Sequence, residues 1–206
     1  MPAGVIVAGG RSTRFGDRDK ALADLAGVPM IRRVADRLAP AVDELVCNCR
    51  ADQRETIGEA LAGYGLPTEF ALDDDPDRGP MAGIRRGLAE LDSGRYAFVV
   101  ACDMPLVDPA FVVYLLRQAA GRDGAVPRLT DGWYQTTHAV YRAGPMAAAC
   151  EAALARGDRK VTAALSDLDL AVVDETEVRE HAALGSDVFS NVNTEAELES
   201  VIERFS

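Results

Sequence analysis

Short apolar segments alternate with amphipathic segments along most of the chain, and this alternation constrains the fold more than any other feature. Gly4-Val5-Ile6-Val7 is a short apolar run that ends at Gly9-Gly10, a pattern typical of a buried strand followed by a glycine loop. Between residues 30 and 38 the apolar side chains share one helical face. Buried strands separated by helices predict an α/β fold, with a mainly parallel central sheet covered by helices on both faces.

The same reading assigns elements along the whole chain. Thr194, with Glu197 three residues later, has the pattern of a capping box at the start of a terminal helix. No linker, internal repeat or low-complexity tract divides the chain, so we expect residues 1–206 to form a single domain. The predicted strands are 4–7, 44–48, 68–72, 96–101, 125–129, 135–141 and 171–173, and the predicted helices are 30–38, 54–61, 81–91, 111–120, 146–155 and 194–205.

The charge balance argues against several classes of partner. Asp and Glu number 33 against 22 Lys and Arg, which gives a net charge of −11. Such a surface repels phosphate backbones and anionic lipids, and no apolar run is long enough to span a membrane. We therefore expect no nucleic-acid or membrane partner and, because the first residues lack the features of a signal peptide, a cytoplasmic location.

Lysine occurs only at Lys20 and Lys160. The acidic, lysine-poor composition favours a protein of a salt-loving microbe over the alternative, an ordinary acidic protein of a GC-rich bacterium. The four cysteines include Cys47 and Cys49, two residues apart in a predicted strand. No second Cys/His cluster accompanies them, so core positions are favoured over a zinc site.

The loop after the first strand carries the strongest chemical signal. It reads Gly9-Gly10-x3-Arg14-x-Gly16-x3-Lys20. The glycines allow backbone N–H groups to approach a ligand, and the Arg and Lys supply positive charges suited to phosphates. The spacing fits neither a Walker P-loop nor the dinucleotide fingerprint of dehydrogenases.

Polar residues also follow other predicted strands, where open parallel sheets bind ligands. Asn48 ends the second strand, and either Asp73 or Asp74 follows the third; these positions suit contacts with a base or a ribose. Asp103 follows the most apolar strand, and a carboxylate there suits Mg²⁺ bridging phosphate oxygens.

The glycine loop resembles the Leu-Ala-Gly-Gly-x3-Arg-Met-Gly-x2-Lys loop of nucleotidyltransferases, with Val7 and Phe15 in place of Leu and Met. Three further segments resemble one branch, the molybdenum cofactor guanylyltransferases of the MobA family. They are Gly79-Pro80-Met81-Ala82-Gly83, Cys102-Asp103-Met104-Pro105 and Asn191-Val192-Asn193-Thr194, the last with Glu195 where the family has Pro. The segments keep the family order over nearly the whole chain.

The resemblance implies a three-layer Rossmann-like nucleotidyltransferase fold that binds GTP in residues 1–105 and the acceptor in residues 106–206. It implies transfer of GMP from GTP to the terminal phosphate of molybdopterin, with Mg²⁺ as cofactor. Other proteins of molybdenum cofactor biosynthesis and acceptor molybdoenzymes are further expected partners, and a halophilic archaeon is the expected source. The implied residues are Arg14, Lys20 and Asp103 for catalysis, Val7, Ala8, Gly9, Gly10, Lys20, Asn48, Asp73 and Asp103 for the nucleotide, Asp103 for the metal, and Asn191, Asn193 and His138 for the acceptor.

Several positions and functions stay open at this point. Trp133 and Tyr134 suit packing on a pterin, but core packing is the favoured use of both. Alternative activities are a molybdopterin cytidylyltransferase, a cobinamide-phosphate guanylyltransferase and a sugar-phosphate nucleotidylyltransferase. A non-catalytic nucleotide-binding accessory protein and a Rossmann dehydrogenase are alternatives of other classes.

The charge imbalance generates a prediction about salt. Since salt screens repulsion between like surface charges, the thermal unfolding midpoint should rise as KCl is increased from low to molar concentration. Chloride is the appropriate salt because sulfate also strengthens apolar burial. A midpoint that stays flat or falls across a KCl series would contradict the halophilic interpretation.

Overall fold

The computed structural model describes residues 1–10, 19–73 and 78–205. Within these ranges seven strands form one sheet in the order β3-β2-β1-β4-β6-β5-β7. Strand β6 runs antiparallel to its neighbours β4 and β5, and the other neighbouring pairs are parallel. The predicted mainly parallel sheet is therefore confirmed. The strands are β1 (Ala3–Val7), β2 (Glu44–Cys49), β3 (Thr68–Leu72), β4 (Tyr96–Ala101), β5 (Gly124–Arg128), β6 (His138–Arg142) and β7 (Leu170–Asp174).

Helices cover both faces of this sheet. One buried cluster joins Ile6 and Phe98 of the sheet to α1 and α4, and a second joins Val5 and Val99 to α3 and α5. The result is three layers, and none of the described helices is long and apolar enough to cross a membrane. The helices are α1 (Met30–Leu38), α2 (Arg54–Ala60), α3 (Pro80–Leu88), α4 (Pro109–Gln118), α5 (Ala143–Ala155), α6 (Thr162–Leu165), α7 (Glu175–His181) and α8 (Glu195–Ile202), with short 3-10 turns at Lys20–Leu22, Ala51–Gln53, Gly185–Phe189 and Glu203–Phe205.

Several element boundaries differ from the sequence prediction by up to three residues, and two short helices were not predicted. Strand β6 begins at His138 rather than at residue 135, because the His138 N–H closes a turn onto the Gln135 carbonyl at 3.0 Å. Helices α6 and α7 were not predicted, since four and seven residues carry little helical periodicity. A sequence signal for α7 did exist, because Asp174 and Glu177 form a capping box.

The register of the parallel strands places the functional segments. Val7, the last residue of β1, pairs with Asn48 on one side and with Ala101 on the other. The carboxyl ends of β1, β2, β3 and β4 therefore meet at one edge of the sheet. The glycine loop and the loops that contain Asp73 and Asp103 all begin at this edge.

The structure does not support His138 as an acceptor-binding residue. Its side chain is fully buried, and its ring lies 5.0 Å from Phe98, 6.2 Å from Phe111 and 5.0 Å from Phe189 between ring centres. Neither ring nitrogen has a hydrogen-bond partner within the described residues. His138 is a core residue enclosed by aromatic side chains on the α1/α4 face of the sheet.

This burial predicts an acid-sensitive fold. Burial lowers the pKa of His138 to about 3, from an ordinary value of about 6.5. Below about pH 6.5 the His138 ring binds a proton in the unfolded chain but stays neutral in the folded chain. The free energy of unfolding should therefore fall by up to about 1.4 kcal/mol per pH unit as the pH is lowered below that value. Denaturant unfolding between pH 7 and 4 measures this slope.

His138→Leu should flatten that pH dependence, while His181→Gln, at the only other histidine, should leave it unchanged. Equal slopes for His138→Leu and the unaltered protein would contradict the assignment.

Candidate active site

A cleft with a volume of about 350 Å³ opens at the carboxyl edge of the sheet, on the face covered by α3. It brings together the predicted nucleotide contacts and the candidate metal ligand. Thr137, just before β6, also lines it. The lining residues are Val7, Ala8, Gly9, Gly10, Lys20, Asn48, Asp73, Arg78, Gly79, Pro80, Ala82, Gly83, Ala101, Cys102, Asp103 and Thr137.

The start of the glycine loop is held in place by side chains that follow β2. The Arg50 guanidinium donates to the carbonyls of Gly9 at 3.2 Å and Gly10 at 2.8 Å, and the Gln53 amide donates to the Ala8 carbonyl at 3.2 Å. These bonds fix the backbone that a nucleotide would approach. Sequence reasoning missed both residues, although their position just after a strand's carboxyl end was an available signal.

Asn48 and Asp73 form a hydrogen-bonded pair on one side of the cleft. The Asn48 amide nitrogen donates to the Ala71 carbonyl at 3.0 Å and to the Asp73 carboxylate at 2.7 Å. The Asn48 side-chain oxygen is buried and has no partner in the part of the chain that the structure describes. A buried acceptor oxygen without a partner is costly, so this oxygen suits a ligand that donates hydrogen bonds.

The surroundings of Gly83 explain why the Gly79-Pro80-Met81-Ala82-Gly83 segment ends in glycine. A Cβ atom at Gly83 would collide with the Asn48 side-chain oxygen and crowd Val7. Gly79 precedes α3 with a φ of 83°, a conformation that favours glycine. The segment therefore lets α3 approach the sheet closely enough to form a wall of the cleft.

Lys20 joins three segments that are far apart in the sequence. Its ammonium group forms an ion pair with the Asp103 carboxylate and donates to the Asn193 side-chain oxygen at 2.9 Å. The Val192 N–H donates to the Asp103 carbonyl at 2.8 Å, which docks the segment before α8 against the loop after β4. A cation, a carboxylate and an amide therefore meet at the mouth of the cleft.

The predicted capping box holds this corner. Glu197 accepts from the backbone N–H groups of Asn193 at 2.7 Å and Thr194 at 2.9 Å, and its own N–H donates to the Thr194 hydroxyl at 3.2 Å. The backbone bond from Asn193 is the main reason that the pKa of Glu197 lies below its usual range. Asn191 is exposed two residues before Asn193.

The Asp103 carboxylate fits a divalent metal shared with a nucleotide. One of its oxygens pairs with Lys20, and the other is buried without a hydrogen-bond partner in the described ranges. Across the described residues no group of three His, Cys, Asp or Glu side chains could hold a metal by itself. Mg²⁺ commonly binds through one or two carboxylates together with substrate phosphates and water, so one free carboxylate oxygen suits it.

The cysteines are buried and free, as expected for core residues. Burial, reinforced by the Asp103 carboxylate, raises the pKa of the Cys102 thiol well above its usual range. The thiol beside the cleft is therefore protonated at neutral pH and unsuited to nucleophilic attack.

Some predicted positions lie outside the described residues or outside the core. Arg14, Gly16 and Asp74 fall within the ranges 11–18 and 74–77, which the structure does not describe. The favoured core position of Trp133 is wrong, because its side chain is 66% exposed. Tyr134 packs against the apolar cluster on the α3/α5 face of the sheet, as expected for a core aromatic.

Comparison with known proteins agrees with this geometry. A family described as "MobA-like NTP transferase domain" matches residues 4–171. A "Probable molybdenum cofactor guanylyltransferase" of Natronomonas pharaonis is 50% identical over 203 residues, which cover 98% of both chains. A protein of the same name from Haloferax mediterranei is 42% identical, covering 98% of this chain and 93% of the relative.

A solved structure supports the same fold. The crystal structure of molybdopterin-guanine dinucleotide biosynthesis protein A from Archaeoglobus fulgidus superposes with a TM-score of 0.79 and 25% identity, covering 100% of this chain and 98% of that one. The relative from Natronomonas comes from a halophilic archaeon, in line with the acidic composition. Sequence, fold and site agree that the chain belongs to the MobA-like NTP transferase family.

Proposed function

We propose that this protein transfers GMP from GTP to the terminal phosphate of molybdopterin, releasing pyrophosphate and forming molybdopterin guanine dinucleotide. The observation that carries the proposal is the junction of Lys20, Asp103 and Asn193 at the mouth of a cleft that contains the Asn48–Asp73 pair. Family membership and the names of the relatives support the same reaction.

The Asn48–Asp73 pair suits the guanine base. The Watson–Crick edge of guanine presents N–H donors, and this side of the cleft offers the Asn48 oxygen and the Asp73 carboxylate as acceptors. Cytosine offers mostly acceptors along the corresponding edge, which would face these oxygens unfavourably. This contrast favours guanylyl transfer over cytidylyl transfer, and competition between GTP and CTP tests it.

The reaction requires positioning and charge neutralisation rather than a covalent nucleophile. The acceptor phosphate is already ionised near neutral pH and can attack the α-phosphorus directly, with pyrophosphate as the leaving group. Lys20 stabilises negative charge that develops on the phosphates, and the glycine loop aligns the nucleotide through its backbone. Arg14 is proposed to add a second cation.

We propose that Asp103 holds Mg²⁺ through its unpartnered oxygen. When bound, the metal neutralises phosphate charge. Asp103 also orients Lys20, so the same carboxylate would position both cations at the triphosphate.

Asn193 and Asn191 are proposed to face the acceptor. Asn193 bonds to Lys20 and is therefore next to the reacting groups. Three further points stay predictions. The first is a single domain with a nucleotide-binding half up to about residue 105 and an acceptor-binding half from 106 to 206. The others are a cytoplasmic location and contacts with other molybdenum cofactor proteins.

Removing the Lys20 charge should mainly affect the rate. Lys20→Ala should lower guanylyl transfer by about 10²- to 10³-fold at saturating GTP, the usual effect of deleting one preorganised charge stabiliser. Lys160→Ala, at the only other lysine, is the matched control and should retain full activity. Equal rates for Lys20→Ala and the unaltered enzyme would exclude Lys20 from the chemical step.

Neutralising Asp103 should change the metal requirement. Asp103→Asn keeps the shape of the side chain but removes the charge that holds a hard cation, so half-maximal activity should need far more Mg²⁺. Activity is titrated against Mg²⁺, with circular dichroism to verify folding. An unshifted Mg²⁺ curve would show that Asp103 is a structural residue of the turn.

A further inference from the structure

The only tryptophan of the chain is exposed at the edge of the sheet that carries the proposed reacting groups. Trp133 leaves 66% of its surface in solvent, and it lies in the loop that connects β5 to β6. An exposed indole alone would carry no conclusion, because single apolar side chains are common on protein surfaces. Its position in the sheet and the hydrogen bonds of its loop are the observations that point to a ligand contact.

The sheet order places Trp133 on the far side of the reacting groups from the nucleotide base pocket. Asn48 and Asp73 follow β2 and β3, the Lys20–Asp103 pair follows β4, and β6 lies beyond β4. Strands β2 and β6 are three places apart in this order, which corresponds to about 14 Å. A ligand that spans this edge would have its base at one end, its phosphates in the middle and its other ring at the β6 end.

The loop reaches the cleft through the start of β6. The Ala101 N–H donates to the Thr137 carbonyl at 3.2 Å, and Thr137 lines the cleft together with Asp103. Trp133 precedes Thr137 by only four residues. Because β6 is antiparallel to β4, this loop lies at the same edge of the sheet as the catalytic groups.

Hydrogen bonds fix the backbone on both sides of Trp133. Its carbonyl accepts from the Leu129 N–H at 3.1 Å, and its own N–H donates to the Asp131 carboxylate at 2.9 Å. Glu175 of α7 accepts from the Thr130 backbone at 2.9 Å and from the Thr130 hydroxyl at 2.6 Å. The Thr130 hydroxyl is the main reason that the pKa of Glu175 falls to about 2, so this anchor stays ionised at neutral pH.

Tyr134, the next residue along the chain, packs the loop against the protein core. Tyr134 contacts the buried cluster on the α3/α5 face, and the Arg128 guanidinium carbon lies 5.7 Å from the centre of its ring. Tyr134 therefore anchors the loop to the core, while Trp133 remains available to a ligand on a preorganised backbone.

We propose that the Trp133 indole is the stacking surface for the planar pyrimidinone ring of the acceptor's pterin and so determines acceptor affinity. This inference rests on the proposed function, because it assumes that the acceptor is molybdopterin. Indole stacks on flat conjugated rings, and the pyrimidinone part of a reduced pterin is such a ring. Trp133 would act on binding and not on the chemical step.

Kinetics with three variants test the proposal. Trp133→Ala and Trp133→Leu should raise the KM for molybdopterin by about 10- to 100-fold, the range expected from losing one stacked ring. The KM for GTP and the kcat at saturating acceptor should stay within about two-fold of the unaltered enzyme. Trp133→Phe should recover most of the affinity, because phenylalanine keeps a planar ring. Trp133→Leu is its control, because leucine is equally apolar but has no ring.

The indole also provides a direct binding signal, since no other tryptophan contributes to fluorescence. Saturating molybdopterin should reduce quenching of Trp133 by acrylamide and shift its emission to shorter wavelength, whereas GTP alone should do neither. Thermal unfolding of each variant confirms that the fold is intact.

The possible outcomes separate this inference from the proposed function. If the unaltered protein makes the dinucleotide but Trp133→Leu has an unchanged acceptor KM, or acrylamide quenching is unchanged by acceptor, the stacking proposal is wrong. If the unaltered protein binds no GTP and forms no dinucleotide, the proposed function itself fails.

Discussion

The parallel pairing of β1 with both β2 and β4 is the constraint on which the site depends. It places Val7, Asn48 and Ala101 side by side at the edge where their strands end. The glycine loop, the Asn48–Asp73 pair and the loop that contains Asp103 therefore all start from adjacent strands at one edge of the sheet. A shift of one residue in the β1–β2 register would turn Asn48 out of the cleft, because strand side chains alternate between faces.

A positively charged lysine lies at this edge, although the protein as a whole is strongly acidic. The net charge is −11, and one of only two lysines lies in the cleft, paired with Asp103 and bonded to Asn193. A partly buried ion pair of this kind contributes little to stability when it costs desolvation of both groups. Its value here is positional, because it orients a positive charge and leaves one carboxylate oxygen unpartnered among the described residues.

Much of the nucleotide side could be predicted from sequence because its signals are local. A glycine loop directly after an apolar strand, and polar residues directly after other strands, indicate a site once the sheet is known to be parallel. Asp103 and Lys20 are 83 positions apart, yet each was identifiable from its own neighbours. Arg50 and Gln53 were missed because their function is to hold backbone carbonyls of another segment, which leaves no periodic pattern.

The acceptor side was harder to predict because it depends on tertiary placement. His138 and Trp133 lie five residues apart, and sequence alone ranked the first as a site residue and the second as core. In the structure, β6 carries His138 into the core among three phenylalanines, and the preceding turn leaves Trp133 in solvent. The late start of β6 thus separates a buried histidine from an exposed indole within five residues.

Analysis of the labelled products distinguishes guanylyl transfer from the alternative activities. The purified protein is incubated with molybdopterin, Mg²⁺ and GTP labelled at the α-phosphate, with CTP labelled at the same position in a parallel reaction. Transfer of the label from GTP into a molybdopterin dinucleotide, with one pyrophosphate released per label and little transfer from CTP, is the predicted result. Bound GTP that is never transferred, or transfer from CTP at a rate equal to that from GTP, would rule out a GTP-specific guanylyltransferase.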